Sequence, residues 1–149
     1  MRNHKFRAWD KENQHMAYSD KHEWDYSFSF DGKSGDLSSA VNCCYCDAFG
    51  DEHDDWKEID NIMEYAGIND KHGKEIYEGD IVKFDVYAYE KLVSSTISEI
   101  KWCEELCALS VVVNKQGTRG TLGHFLDHNK EVEVIGNIYQ NPELLRELN

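Results

Sequence analysis

The sequence predicts a mainly β protein in which residues 61–149 form a small antiparallel barrel closed by a short C-terminal helix. An N-terminal hairpin (1–18) and an acidic insertion (19–60) precede it, the whole forming one domain. Three observations carry this expectation. One is a turn–turn–strand stretch between Gly67 and Tyr89. Another is a series of short runs with apolar residues at every second position, separated by Asn, Asp and Gly. The last is length: 149 residues suit one domain, and such a chain buries roughly 70% of its unfolded surface without needing a metal or disulfide.

The stretch Gly67-Ile68-Asn69-Asp70-Lys71-His72-Gly73-Lys74-Glu75-Ile76-Tyr77-Glu78-Gly79-Asp80-Ile81-Val82-Lys83-Phe84 organises the chain. Asn69, Asp70 and Gly73 are turn formers, because Asx side chains bond nearby backbone and glycine accepts positive φ. Glu78-Gly79-Asp80 reads as a second turn. From Ile81 to Tyr89 the residues alternate: Val82, Phe84, Val86 and Ala88 on one side, and Ile81, Lys83, Asp85, Tyr87 and Tyr89 on the other. That pattern is a half-buried antiparallel strand. A Gly-Asp-apolar-Val start after a turn is common where SH3-like barrels begin a strand.

The other elements follow in chain order. Lys5–Trp9 and Gln14–Tyr18 read as a hairpin around Asp10–Asn13, with Lys5 and Arg7 marking a wet face. Ser19–Asp55 reads as an irregular insertion with at most one strand or short helix. Tyr26–Phe30 alternates, and Trp24, Tyr26, Phe28, Phe30 and Phe49 serve as anchors. Trp56, Ile59, Ile62 and Met63 have helical spacing, which allows a short helix before Asn61; Met63 and Tyr65 suit a strand. Val93–Trp102 is a strand with Ile100 and Trp102 on one face, and Glu104-Glu105 is a reversal. Leu106–Val113 is apolar on both sides, so it is either centrally covered or lies at a contact between copies of the chain. Asn114–Gly117 turns, and Thr118–Asn129 is a polar loop anchored by Leu122, Phe125 and Leu126. Val132–Tyr139 is the last strand, with Gly136-Asn137 marking a bulge. Asn141 caps a short helix with Pro142 at its first position.

Three pieces of this sequence resemble the YopX family. They are Lys5-Phe6-Arg7-Ala8-Trp9-Asp10, the stretch Gly67–Val82, and Val134-Ile135-Gly136-Asn137-Ile138-Tyr139-x-Asn141-Pro142-Glu143-Leu144-Leu145. They occur in the family's order and span nearly the whole chain. Glu64 and Ala66 depart from the family's more frequent Gln and Thr, and the acidic stretch is long. The resemblance implies a mainly β domain with an SH3-like barrel, encoded by a phage or prophage. It implies no activity and supplies no catalytic residues.

Composition narrows the function classes. The net charge is −13, and residues 20–60 hold twelve acids and three bases. Such a chain repels phosphate backbones, which disfavours direct nucleic-acid binding. Lys5, Arg7, Lys83, Lys101, Lys115 and Arg119 are the bases that could cluster. No apolar run reaches the ~18 residues of a membrane span, and no signal segment follows the basic N-terminus. Five cysteines in a chain of this type point to reduced thiols and a cytoplasmic setting in a bacterial host.

Chemistry-bearing constellations are few. Cys103-x3-Cys107 followed by His124-x3-His128 supplies four zinc-type ligands, with a middle gap slightly long for a finger. Buried packing of cysteine is the competing and favoured account. Cys43-Cys44-x-Cys46 with His53 reads first as loop thiols. Asp51–Asp55 lacks the alternation and central glycine of an EF-hand loop. Gly32-Lys33-Ser34 lacks the remainder of a P-loop, and Gly117-x-x-Gly120-x-x-Gly123 lacks a βαβ setting. No catalytic, metal or cofactor site is therefore assigned, and the chain reads as a non-enzyme without a cofactor. The expected role is a non-catalytic module that binds a host or phage protein, with Tyr87, Tyr89, Trp102 and Tyr139 as contact aromatics. The alternatives are an acidic nucleic-acid mimic that occupies a basic host protein, and a barrel that binds nucleic acid directly.

Overall fold

The computed structural model describes residues 4–21, 26–30, 37–42, 45–46, 52–53, 57–113, 117–124 and 132–148. Two compact units, Asn3–Glu64 and Tyr65–Asn149, divide the chain. It is mainly β, with a curled antiparallel half-barrel and a single 3-10 segment among the described residues.

In the first unit, β1 (Phe6–Asp10) and β2 (His15–Tyr18) form the expected hairpin, in register from Arg7↔Tyr18 to Asp10↔His15. Asp10 makes its turn. The buried carboxylate accepts the backbone N–H groups of Glu12 at 2.9 Å and Asn13 at 3.1 Å, and the Tyr26 hydroxyl donates to it at 3.1 Å. The wet face expected on β1 is absent. All five residues are buried, Arg7 included, and β1 is a central strand, pairing with β2 on one edge and with Ile62–Glu64 on the other. The Arg7 guanidinium packs against Met63, with Nε and Nη2 each 3.4 Å from Sδ.

The acidic insertion holds more strand than the sequence led us to expect: β3 (Tyr26–Phe30), β4 (Leu37–Asn42), β5 (Tyr45–Cys46), β6 (Glu52–His53) and β7 (Lys57–Glu58). β4 pairs with β3 and with β7, and β5 with β6. Tyr26, Phe28 and Ile62 pack on buried Ala8 and Ile59. The anchors Trp24 and Phe49 lie outside the described residues. Lys57–Glu58 is strand where helical spacing allowed a short helix; β4 offers backbone partners there, so pairing overrides the periodicity.

β8 (Ile62–Asn69) runs from the first unit into the second, where Tyr65 pairs with Tyr77 and Asn69 with Glu75 of β9 (Glu75–Tyr77). The turn between them is the one read from the sequence. Gly73 has φ 83°, and its N–H donates to the Asp70 carbonyl at 3.0 Å. Then come β10 (Asp80–Ala88), β11 (Lys91–Glu99), β12 (Lys101–Cys103), β13 (Ala108–Val112), β14 (Arg119–Thr121) and β15 (Glu133–Asn137). β10 lies between β11 and β15, and β13 between β12 and β14. Ile76, Val82, Phe84, Ile100, Val111, Leu122, Val132 and Val134 fill the interior, with Val86, Leu109 and Val113 against them. Each such large side chain contributes roughly 1.5–3 kcal/mol on burial, and the alternation of β10 places Val82 and Phe84 among them.

Several details depart from the sequence reading. The strand expected over Val93–Trp102 breaks at Ile100, whose N–H donates to the Asp80 carbonyl and whose carbonyl accepts from Gly79, both at 2.8 Å. Ile100 is therefore buried while Trp102, expected on the same face, is half exposed. Leu106 and Cys107 belong to the turn before β13 and are exposed; Cys107 has φ 46°. β14 occupies part of the expected loop Thr118–Asn129, because the β13 edge offers it a partner. The bulge expected at Gly136-Asn137 is present in β15, one residue earlier: Val134 faces Val82 and Gly136 faces Ile81, which leaves Ile135 as the extra residue. The terminal helix, η1 (Pro142–Leu148), is 3-10.

Candidate functional site

The β10–β11 hairpin concentrates the features that the fold does not absorb. Ala88 pairs with Lys91, so Tyr89-Glu90 is a two-residue loop, and both residues have positive φ (51° and 62°). This is a type I′ turn, normally built from Asn-Gly or similar pairs. A side chain in this region costs about 1 kcal/mol or more. Next to it the register slips: Val86 faces Ser94 but Tyr87 faces Leu92, which leaves Val93 as an extra residue. Tyr87, Tyr89, Leu92 and Val93 are all exposed, Tyr89 completely and Val93 by 64%. Positive φ is what closes a two-residue hairpin loop; side chains as large as Tyr and Glu at those positions are not what such a loop requires. Of the exposed residues, Tyr87 and Tyr89 were candidates from sequence; Leu92 and Val93 were not. Leu92 lies opposite exposed Tyr87, and Val93 is the residue the register slip leaves unpaired; neither placement is encoded by periodicity.

Of the other contact aromatics, Trp102 is half exposed and its backbone N–H donates to Glu78 Oε1 at 3.1 Å. Tyr139 is partly buried; burial, reinforced by Glu99 and Glu78, holds its hydroxyl pKa above the ordinary value.

The zinc-type set does not assemble among the described residues. Cys103 is buried on β12, whereas Cys107 is exposed and its Sγ lies 3.3 Å from the Glu104 carbonyl; both are free thiols. His124 is exposed, and His128 lies outside the described residues. In the second set, Cys46 and His53 lie on the paired strands β5 and β6, with Cys43 and Cys44 outside the described residues. Among the described residues no group of three or more His, Cys, Asp or Glu is placed to hold a metal ion. Gly32-Lys33-Ser34 also lies outside them; Gly120 sits in β14, a strand rather than a phosphate loop.

The candidate basic residues are largely engaged. Arg7 is buried, Lys5 Nζ lies 2.8 Å from Asp20, and Arg119 donates to Ser110 Oγ at 3.2 Å. Lys83 and Lys101 are exposed, and Lys115 lies outside the described residues. No described helix is long and apolar enough to cross a membrane.

Comparison with known proteins places this architecture. No curated protein matches the chain. The chain is similar to the solved structure of protein yopX from Bacillus subtilis, at 26% identity and a TM-score of 0.60, covering 97% of this chain and 98% of that one. It is also similar to protein EF1440 from Enterococcus faecalis, at 26% identity and a TM-score of 0.51, covering 97% and 99%. The family model described as YopX protein matches residues 5–146. With the turn at Asp70, the β10 alternation and the β15 bulge all inside that match, the chain belongs to the YopX family.

Proposed function

We propose that this protein is a non-catalytic protein-binding module that contacts its partner through the tip of the β10–β11 hairpin. The observation that carries the reading is the group Tyr87, Tyr89, Leu92 and Val93, exposed on a strained turn. Side chains held in strained backbone conformations cluster at functional segments, and exposed aromatics are enriched at protein contacts. Family membership supports a phage or prophage accessory role in the cytoplasm of a bacterial host. The test is a pull-down from host lysate with the full chain and with Leu92→Ser/Val93→Ser. A protein retained by the wild type and lost by the variant supports the reading. Equal retention by both, or no retained protein, removes it.

A second reading rests on charge. Residues 20–60 carry a net −9, which suits an acidic mimic of nucleic acid seated on a basic protein. Binding of that kind weakens steeply with salt. Retention unchanged between low and high salt disposes of it.

A further inference from the structure

We infer that Glu78, Glu99, Trp102 and Tyr139 form a contact surface for an arginine side chain of a basic partner protein. This surface lies apart from the hairpin tip, and the inference does not depend on the reading of that tip.

The backbone brings the four residues together around Gly79. The Gly79 N–H donates to the Ile100 carbonyl at 2.8 Å, and the Gly79 carbonyl accepts the Ile138 N–H at 2.9 Å. Three chain segments therefore meet at one residue. Glu78 precedes that residue, Glu99 precedes Ile100, and Tyr139 follows Ile138. Trp102 joins them through its backbone N–H, which donates to Glu78 Oε1 at 3.1 Å. The Tyr139 N–H donates to Asn137 Oδ1 at 3.0 Å, which fixes the turn that carries the phenol. Both carboxylates reach that phenol: burial, then Glu99, then Glu78 hold its hydroxyl pKa above the ordinary value.

The surface is unbalanced in charge. Glu78 and Glu99 are partly exposed, and neither forms an ion pair with a base among the described residues. Trp102, whose N–H holds one of these carboxylates, is 49% exposed. A cation with a flat, weakly hydrated face meets both features. Guanidinium forks onto carboxylate oxygens and stacks on aromatic rings, whereas ammonium is a compact, strongly hydrated charge. A metal ion fits poorly. Among the described residues no three metal-binding side chains converge, and hard divalent cations take six or more oxygens. The field of a chain carrying −13 also favours the approach of a basic protein.

An NMR titration of the full chain tests the inference. The probes are acetyl-arginine amide, acetyl-lysine amide and uncharged acetyl-citrulline amide, at matched ionic strength. Arginine amide should shift the Trp102 indole N–H and the Gly79 amide saturably. Lysine amide should bind about threefold more weakly, and citrulline amide should leave both signals in place. Glu78→Gln and Glu99→Gln should each weaken arginine binding about threefold, the effect of losing one exposed ion pair. Glutamine keeps an acceptor oxygen for the Trp102 N–H, so the fold is retained. Glu104→Gln removes the same charge from an exposed residue outside the surface and should leave binding unchanged. No shift with arginine amide overturns the inference. An equal response to lysine or citrulline amide, or equal weakening by Glu104→Gln, overturns it as well.

Discussion

The Asp70 carboxylate accepts the backbone N–H of Val134 at 3.1 Å across 64 residues of sequence. The same carboxylate accepts from His72 and Lys74 at 2.8 and 2.9 Å, so one buried side chain both closes its own turn and fixes that turn to β15. Around it, Lys71 N–H donates to the Val132 carbonyl at 2.9 Å and Lys71 Nζ pairs with Glu133 at 2.8 Å. The turn read from the sequence as a local reversal is therefore also a long-range tie.

Replacing Asp70 tests this tie. Asp70→Ala leaves three backbone donors without their acceptor, one of them buried, and costs about 3 kcal/mol or more, since hydrogen bonds to charged groups contribute roughly 1.5–3 kcal/mol each. Asp70→Asn keeps one acceptor oxygen and costs less. Denaturant unfolding of the two variants checks both the size and the order.

The same residues set an acid dependence. Burial works against the Asp70 charge, but the N–H groups of Val134, Lys74 and His72 outweigh it and hold its pKa below 3.8. The hydrogen bond from Lys71 likewise holds Glu133 below 4.5. Carboxyls lowered in the folded state stabilise it fully above their ordinary values and lose that contribution as pH falls through the lower folded ones. The melting temperature of the wild type should therefore fall below about pH 4, and its advantage over Asp70→Asn should shrink in the same window.

Gly136 tests the bulge. A Cβ there would lie 2.6 Å from Asn141 Oδ1 and 2.9 Å from its Cβ. Asn141 is itself held by backbone hydrogen bonds to Asn137 and Leu144. Gly136→Ala should cost about 1–3 kcal/mol by overpacking. Adding Asn141→Gly should recover part of that loss, a coupling that a double-mutant cycle measures directly.

Cys103 and Cys107 should separate by reactivity. A thiol reagent should modify Cys107 in the native protein and reach Cys103 only on unfolding. A chelator should leave the melting temperature unchanged; a drop would show that a bound metal stabilises the fold.

The core of the second unit was legible because its signals are local. Asn69, Asp70 and Gly73 dictate a turn, and Val82, Phe84 and Val86 alternate over one strand. Two of the departures trace to long-range partners. Arg7 looks solvent-facing by alternation and is buried with its guanidinium against Met63, its cross-strand neighbour 56 residues on. Ile100 looks like a mid-strand residue and is a break because Gly79 and Asp80 take its backbone groups. The candidate site was half visible: Tyr87 and Tyr89 can be named as aromatics, but the pairing that sets Leu92 opposite Tyr87 and the one-residue slip that leaves Val93 over have no sequence signature.

The turn at Tyr89-Glu90 should limit stability. Tyr89→Asn/Glu90→Gly relieves two side chains held at positive φ and should stabilise the fold by about 1–2 kcal/mol. A higher melting temperature accompanied by lost binding would show that the strained residues are kept for contact.

The most direct measurement places a photo-crosslinking amino acid at position 89, with Lys11, another exposed residue, as the control position. Binding through the hairpin tip predicts covalent protein adducts from position 89, absent from position 11 and abolished by Leu92→Ser/Val93→Ser. No adduct at 89, or equal adducts from both positions, would contradict it.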